Sequence, residues 1–243
     1  MPNIKDIKIF ADGAELKTMI EQYKNRAVQG FTTNPTLMRK GGVTDYESFA
    51  KEVLKHIPDM PISFEVFSDE FDEMERQAQK IASWGPNVNV KIPITNTKQQ
   101  SSIPLVKKLS TSGLSLNVTA ILTVDQVRQV KEALNPDVYS IVSVFAGRIA
   151  DTGRDPMPIM KECAQILKPL KKADLLWASS RELLNIFQAI VTGCHIITVT
   201  NDILKKLPGV GKDLAELSLD TVKMFYNDAS AAGFKINVEK AVL

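Results

Sequence analysis

The sequence predicts an α/β fold, a (β/α)8 TIM barrel with an additional C-terminal helix. Eight short β-like runs alternate with amphipathic helical runs, a pattern typical of a parallel sheet with helical crossovers. The length of 243 residues fits one such barrel, for which about 250 residues is typical. Several strands are polar on one face only, which is expected where strands enclose a functional interior. An open doubly wound sheet is the competing fold.

The predicted strands are short apolar runs separated by helical segments. They lie at Ile7–Asp12, Gly30–Thr33, Ile62–Phe67, Val88–Ile92, Leu114–Thr119, Val138–Phe145, Leu175–Ala178 and Cys194–Val199. A further helix follows the eighth unit, from Leu214 to about Ala232. No linker of low complexity divides the sequence, so we expect residues 1–243 to form a single domain.

Composition argues against several classes of partner. Charged residues make up 24% of the chain and the formal net charge is +2, without a basic or acidic block that would indicate nucleic acid or a membrane surface. No signal peptide is recognisable, and no apolar stretch reaches the roughly 18 residues of a membrane span, so we expect a cytoplasmic protein. Cys163 and Cys194 lie in no CxxC pair, and we expect neither a disulfide framework nor a metal site.

The strands alternate between an aliphatic and a polar face. In the fourth strand, Val90 and Ile92 share one face with Val88, while Lys91 lies on the opposite face. The third and fifth strands place Glu65, Asn117 and Thr119 in the same way. Burying such groups is costly unless they are paired. Since barrel active sites lie at the C-terminal ends of strands, these residues predict an active site there.

Lys91 is the central candidate for covalent chemistry. The ordinary alternative is a surface lysine that lays its stem on apolar neighbours, but the opposite face of its strand is wholly aliphatic. An amine inside a barrel loses hydration, which favours the neutral form that attacks a carbonyl. We therefore expect a Schiff base at Lys91.

Carboxyl and hydroxyl groups near the same strand ends suit proton transfer. Asp12 ends the first strand, where it is either a plain cap for the next helix or a general acid/base. Glu65 and Thr119 are placed to hold a water, which imine chemistry requires. All three residues are therefore expected to contribute to catalysis with Lys91.

Two arginines indicate a phosphate ligand. Arg148 follows the sixth strand and Arg181 the seventh. Either alone is most simply a surface ion-pair partner, but together, after adjacent strands, they predict a phosphate clamp. Ser179 and a helix beginning at Arg181 would add further donors.

These residues stand in motifs that resemble the transaldolases, in particular the short single-barrel subfamily that also includes fructose 6-phosphate aldolase. The resemblance runs from about Ile9 to about Leu204. Its segments are Ile9-Phe-Ala-Asp12, Gly30-Phe-Thr-Thr-Asn-Pro-Thr-Leu37, Ser63-Phe-Glu-Val66, Val90-Lys-Ile-Pro93, Leu116-Asn-Val-Thr119, Val142-Ser-Val-Phe-Ala-Gly-Arg-Ile149 and Ala178-Ser-Ser-Arg181. Val90-Lys-Ile-Pro93, the Schiff-base motif, is the most specific of them.

The resemblance implies transfer of a dihydroxyacetone unit from a ketose phosphate, fructose 6-phosphate or sedoheptulose 7-phosphate, to an aldose phosphate. It implies no cofactor and no metal, and a place in carbohydrate metabolism of the pentose phosphate type. The implied catalytic residues are Lys91, Asp12, Glu65 and Thr119. The implied substrate-binding residues are Asn34, Asn117, Ser143, Phe145, Arg148, Ser179 and Arg181. The short transaldolases form ring-like assemblies through the last helix, so a homo-oligomer is expected.

Two alternative functions stay open. Fructose 6-phosphate aldolases, which release free dihydroxyacetone, carry glutamine and tyrosine where this chain has Glu65 and Phe145, and tend to be apolar at the position of Asn117. A non-catalytic sugar-phosphate-binding protein is the other alternative, although phosphate binding needs neither Lys91 nor Asp12. The chain departs from the family at Gly13, Thr36 and Ser180, which leaves the preferred acceptor open.

Overall fold

A computed structural model describes residues 2–238. Its eight strands form a closed barrel in chain order, and every neighbouring pair is parallel, including the closing pair of β1 and β8. This confirms the predicted fold class. The strands are β1 Lys8–Asp12, β2 Gly30–Thr32, β3 Ile62–Glu65, β4 Val88–Pro93, β5 Leu116–Ile121, β6 Ser140–Val144, β7 Ala173–Trp177 and β8 Ile196–Val199.

Helices connect successive strands, and two more follow the last strand. They are α1 Leu16–Lys24, α2 Pro35–Lys40, α3 Tyr46–His56, α4 Phe71–Ala82, α5 Ile103–Thr111, α6 Val124–Ala133, α7 Ala146–Ala150, α8 Met157–Leu167, α9 Leu184–Thr192, α10 Asn201–Leu204 and α11 Leu214–Ala231, with short 3-10 turns at Ile4–Asp6 and Leu207–Gly209. Over residues 2–238, none of these helices has both the length and the apolar character that crossing a bilayer requires.

Local sequence explains where several helices begin. The α2 helix starts after Asn34, whose side chain accepts the Leu37 N–H, and Pro35 occupies the first helical position, where no N–H is needed. Thr123 and Gln126 form a reciprocal capping box at the start of α6. Because both helices leave the C-terminal ends of strands, these caps also fix the loops that surround the barrel mouth.

The barrel interior has an apolar middle that lies between polar groups at its two ends. Near the N-terminal ends of the strands, the Lys8 ammonium pairs with the Asp174 carboxylate at 2.9 Å. The middle is an apolar cluster that includes Phe10, Leu176 and Ile196. Asp12 lies two residues beyond Phe10 on β1. Because side chains two apart on a strand share a face, the face that is apolar at Phe10 is polar at the mouth of the barrel.

The predicted strand bounds differ from the observed ones mainly at the ends. The clearest difference is β5, which reaches Ile121 instead of ending at Thr119. The register between β5 and β6 shifts between Val118 and Ile121, and Ala120 has a left-handed backbone with φ of 60°. An extra residue accommodated in this way lets a strand continue past an irregularity.

The described chain separates into two compact units, one up to Lys205 and one from Lys206. The first contains the barrel. The second contains α11, which begins after Asp213, whose carboxylate accepts the N–H groups of Ala215 and Glu216. The helix ends at Ala231, close to the predicted Ala232. The assignment of residues 1–243 to a single domain stays a prediction.

Gly30 should be required for packing inside the barrel. Phe10 on β1 and Gly30 on β2 are register partners, and a Cβ at Gly30 would lie 2.5 Å from Phe10 Cζ. The Phe10 ring is fully enclosed in the core and has no free space in which to move. We expect Gly30→Ala to lower the free energy of unfolding by about 1–3 kcal/mol, measured by urea denaturation.

Gly13→Ala is the matched control, because a Cβ there would meet nothing within 4 Å. Its effect should stay within about 0.5 kcal/mol. Equal free energies of unfolding for the two variants would mean that the Phe10 ring can move away from a Cβ at position 30 without cost.

Candidate active site

A cavity of about 620 Å³ opens at the C-terminal ends of the strands. Every side chain predicted for the site lines this cavity, so the structure brings the whole predicted set together, while their individual roles remain predictions. The set comprises Asp12, Asn34, Glu65, Lys91, Asn117, Thr119, Ser143, Phe145, Arg148, Ser179 and Arg181.

Lys91 lies deep in the wall of the cavity, and only 7% of its side chain is exposed. Its ammonium donates to the backbone carbonyl of Thr33 at 2.8 Å and lies 3.0 Å from a carboxylate oxygen of Glu65. Parallel register places Glu65 on β3 beside Lys91 on β4. Glu65 therefore contacts Lys91 directly, and the barrel holds a buried ion pair at this point.

Asp12 occupies the end of β1, and part of its carboxyl faces the cavity. The Thr32 hydroxyl donates to Asp12 Oδ1 at 2.9 Å and also pairs with the Thr198 hydroxyl. Burial raises the pKa of Asp12 above its ordinary value, and this outweighs the opposing effects of the Lys91 charge and the Thr32 hydrogen bond. The group is therefore protonated more readily than a carboxyl in water.

The side-chain amide of Asn117 is held by two serines, one at its nitrogen and one at its oxygen. Its amide nitrogen donates to Ser63 Oγ at 3.0 Å, and its amide oxygen accepts from Ser143 Oγ at 2.6 Å. Asn34 is held differently, because its side-chain oxygen caps α2 through the Leu37 N–H at 3.0 Å. The amide nitrogen of Asn34 is left as a donor at the edge of the cavity.

Thr119 brings a hydroxyl to the cavity that none of residues 2–238 satisfies, although the atom is buried. The residue precedes Ala120, whose left-handed backbone marks the irregularity in β5. Buried hydroxyls are nearly always hydrogen-bonded in folded proteins. The Thr119 hydroxyl is therefore an exception, as are those of Ser102 and Ser140.

The turns that carry the two arginines are locked together. The Gly147 N–H donates to the carbonyl of Ala178 at 3.3 Å, and a Cβ at Gly147 would lie only 1.6 Å from the Ser179 carbonyl oxygen. Ser179 itself has a left-handed backbone, with φ of 65°. The turn after β6 thus fits against the turn after β7, which sets the separation of Arg148 and Arg181.

The predicted helix start at Arg181 is wrong, because α9 begins at Leu184. A turn precedes the helix, in which Asn185 Oδ1 accepts the backbone N–H groups of Arg181 and Glu182 at 2.7 and 3.1 Å. These backbone donors are satisfied within the turn and do not serve a ligand. The contribution of Arg181 to the cavity therefore comes from its guanidinium.

Side-chain partners orient both guanidinium groups. The Arg148 guanidinium lies over the ring of Phe145, with its carbon 5.6 Å from the ring centre, within the range of a cation–π contact. Arg181 Nε donates to Asp151 Oδ1 at 2.9 Å, and its Nη2 donates to Asp151 Oδ2. The ligand-free arginines are thus held by an aromatic face and by a carboxylate.

The cavity also has polar and charged residues in or beside it that were not identified from the sequence. Thr32 and Thr198 line the cavity beside Asp12, and strand alternation could have indicated Thr198, the polar member of Ile196–Val199. Lys40 reaches the cavity from the last turn of α2, and Asp151 reaches Arg181 from the end of α7. Nothing in the local sequence distinguishes these two from ordinary surface charges.

Comparison with known proteins gives a consistent picture. A protein described as a probable transaldolase from Dehalococcoides mccartyi is 34% identical over 202 residues, which is 83% of this chain and 90% of the relative. A probable transaldolase from Thermoanaerobacter sp. is 32% identical over 231 residues, 95% of this chain and all of the relative.

The crystal structure of KGPDC from Streptococcus mutans superposes with a TM-score of 0.56 over 82% of this chain and 90% of that one, at 12% identity. At this level of identity the similarity concerns the fold alone. The sequence profile described as Transaldolase/Fructose-6-phosphate aldolase matches residues 9–241. With that match and relatives above 30% identity over most of its length, the chain belongs to the transaldolase/fructose-6-phosphate aldolase family.

Proposed function

We propose that the protein is a transaldolase that transfers a dihydroxyacetone unit between phosphorylated sugars through a Schiff base at Lys91. The observation that supports this most strongly is the buried ammonium of Lys91, paired with Glu65 at 3.0 Å in the wall of a cavity that also holds Asp12. A lysine that served only the fold would be more stable with its ammonium hydrated at the surface than buried at this position. The imine nitrogen is the electron sink, so the proposed reaction calls for no added cofactor.

The first step forms the Schiff base. The Lys91 ammonium gives a proton to the adjacent Glu65 carboxylate, and the neutral amine attacks the ketone carbon of the donor sugar. The protonated Glu65 then returns this proton to the carbinolamine hydroxyl, which leaves as water, and a protonated C=N bond to Lys91 remains. The unpaired Thr119 hydroxyl lies in the same cavity as Glu65, and the two groups would hold that water.

The second step breaks the carbon chain. Asp12 takes the proton of the C4 hydroxyl, the C3–C4 bond breaks, and its electron pair moves to the imine to give an enamine on Lys91. The aldose phosphate leaves with a new C=O bond. Addition of a second aldose phosphate reverses these changes, and hydrolysis then frees Lys91. The raised pKa of Asp12 suits a group that must accept a proton and later return it.

The remaining polar groups would recognise the substrate. Asn34, Asn117 and Ser143 would hold the hydroxyl groups of the three-carbon unit, with Asn117 already oriented by its two serine partners. Arg148 and Arg181 would bind the phosphate, and that binding energy would orient the reacting carbons. Ser179 would contribute from the same turn as Arg181.

Phe145 favours transfer over release. Its ring lines the cavity and packs against the Arg148 guanidinium. A phenyl ring offers no hydrogen bond to position a water beside the enamine, whereas a tyrosine would. Fructose 6-phosphate aldolase activity is the second candidate. A role restricted to binding is disfavoured, because it leaves the buried pair of Lys91 and Glu65 without a purpose.

The expected assembly, location and pathway also remain proposals. We propose a homo-oligomer with a contact at α11, which, described by itself, exposes Val222 and Phe225. Exposed apolar side chains of this kind commonly mark protein contacts, and the molar mass in solution tests this proposal. A cytoplasmic location and a place in pentose phosphate metabolism follow from the proposed substrates.

Fructose 6-phosphate should be cleaved rapidly only when an acceptor is present. The measurement follows glyceraldehyde 3-phosphate with and without erythrose 4-phosphate. Phe145→Tyr should raise the acceptor-independent rate by about five-fold, because one hydrogen bond contributes roughly 1 kcal/mol. Phe145→Leu, which adds no hydrogen-bonding group, is the control and should give no such gain. Equally fast release of free dihydroxyacetone by the native enzyme without acceptor would identify it as an aldolase.

Asp12→Asn should stabilise the fold at neutral pH while it abolishes most activity. Because burial raises the pKa of Asp12 above 3.8, ionisation opposes folding once the pH exceeds the unfolded value. The opposition is absent below that value and grows until the pH passes the folded-state pKa. The Tm of the variant minus that of the native protein should therefore increase as the pH rises above the unfolded value of about 4, and should level off once the pH has passed the folded-state pKa. An Asn oxygen can still accept the Thr32 hydrogen bond, so a variant that is less stable by the same amount at every pH contradicts this origin.

A further inference from the structure

The hydroxyl of Tyr46 lies against the backbone of Glu65 at the end of β3. It donates to the Glu65 carbonyl and accepts from the Glu65 N–H, and both hydrogen bonds are 2.8 Å long. Burial raises the pKa of Tyr46 above its ordinary value, so the hydroxyl keeps its proton and acts as donor and acceptor at once. One side chain thus satisfies both backbone groups of the residue that pairs with Lys91.

These bonds take the place of the next rung between β2 and β3. The Thr33 N–H donates to the Ser63 carbonyl at 3.1 Å. In a parallel ladder continued by one step, the Glu65 N–H would donate to the Thr33 carbonyl. Because the Tyr46 hydroxyl accepts that N–H instead, the Thr33 carbonyl is left to the Lys91 ammonium, which donates to it at 2.8 Å.

The ring that carries this hydroxyl is held on the outer side of the barrel. Tyr46 is the first residue of α3, and its ring meets Phe64 and Phe67 edge to face, with centres 6.2 and 4.8 Å apart. The Trp84 ring lies 5.8 Å away on the same cluster. Such contacts favour one orientation of the ring. Among residues 2–238, Tyr46 lies outside the set that lines the cavity, so it reaches the chemistry only through the backbone of Glu65.

We propose that Tyr46 is a positioning residue, whose hydroxyl holds Glu65 against Lys91 and keeps the Thr33 carbonyl for the ammonium. This inference rests on the proposed function. Without the hydroxyl, two half-buried backbone groups of Glu65 would lose their partner, which is costly. The end of β3 would then move toward β2 until the Glu65 N–H reached the Thr33 carbonyl. Since Lys91 lies on β4, on the other side of β3, the carboxylate would move away from it.

Tyr46→Phe removes the hydroxyl and keeps the ring, so it tests the proposal with little change in packing. Adduct formation at Lys91 is followed by quenching with borohydride at increasing concentrations of fructose 6-phosphate. We expect the rate at saturation to fall about ten- to hundred-fold, because a misplacement of about 1 Å can cost up to about a hundred-fold. The half-saturating concentration should stay within about two-fold, since the proposed phosphate ligands Arg148 and Arg181 are unchanged.

Tyr139→Phe is the matched control. Its hydroxyl is also part-buried and donates to Asp174 at 2.8 Å, in the polar group at the opposite end of the barrel from the cavity. Each variant should lower the Tm by about 2–8 °C through its lost hydrogen bonds. Only Tyr46→Phe should slow adduct formation, so a general loss of stability cannot account for the result.

A crystal structure of Tyr46→Phe gives a readout that does not depend on the reaction. Glu65 N should lie within hydrogen-bond distance of the Thr33 oxygen, and the distance from Lys91 Nζ to Glu65 Oε2 should exceed the native 3.0 Å. Unmoved side chains of Lys91 and Glu65, or an unchanged rate of adduct formation, would overturn the role of Tyr46 and leave the Schiff base standing. No adduct with the native protein would overturn the proposed function, and the positioning role in that reaction with it.

Discussion

The ion pair of Lys91 and Glu65 is the interaction on which the site depends. A buried ammonium is costly to desolvate, and one carboxylate together with the Thr33 carbonyl compensates for the loss of water. The parallel register of β3 and β4 brings Glu65 beside Lys91. The curvature of the sheet brings the Thr33 carbonyl, just after β2, within reach of the same ammonium. Asp12 lies in the same cavity, and burial raises its pKa above the ordinary value.

Glycine and left-handed backbone hold the two ends of the cavity in place. Gly30 leaves room for the Phe10 ring beneath Asp12, and Gly147 lets the turn after β6 approach the Ser179 carbonyl in the turn after β7. Ala120 and Ser179 both adopt positive φ without being glycine. Such conformations cost of order 1–3 kcal/mol and persist where the surroundings enforce them. Both residues border groups that the proposed reaction uses, namely Thr119 and Arg181.

Strand periodicity accounts for what the sequence could predict. Side chains alternate between the two faces of a strand, so the neighbours in sequence were enough to place Lys91, Glu65 and Asn117 on the inner face. Because the strands are parallel, their C-terminal ends then bring these residues to one end of the barrel. The partners of these residues could not be predicted in the same way. The bond from Lys91 to the Thr33 carbonyl and the pair of Arg181 with Asp151 join residues far apart in the chain, and depend on barrel closure and loop shape.

Local rules failed where side chains or backbone depart from common preference. Helix α9 begins three residues later than predicted, because the Asn185 side chain satisfies the N–H groups of the preceding turn. Strand β5 continues past Thr119 because Ala120 takes a conformation that alanine rarely adopts. Alanine gives no signal of a left-handed backbone, and Asn185 lies inside α9 and not at its cap position.

Covalent trapping measures the role of Lys91 most directly. The native protein is treated with fructose 6-phosphate and borohydride, digested, and examined by mass spectrometry for the reduced adduct. The added mass should lie on the peptide that contains Lys91, and should be absent from a Lys91→Met variant treated in the same way. An adduct on any other lysine, or no adduct with a folded native protein, would contradict a Schiff base at Lys91.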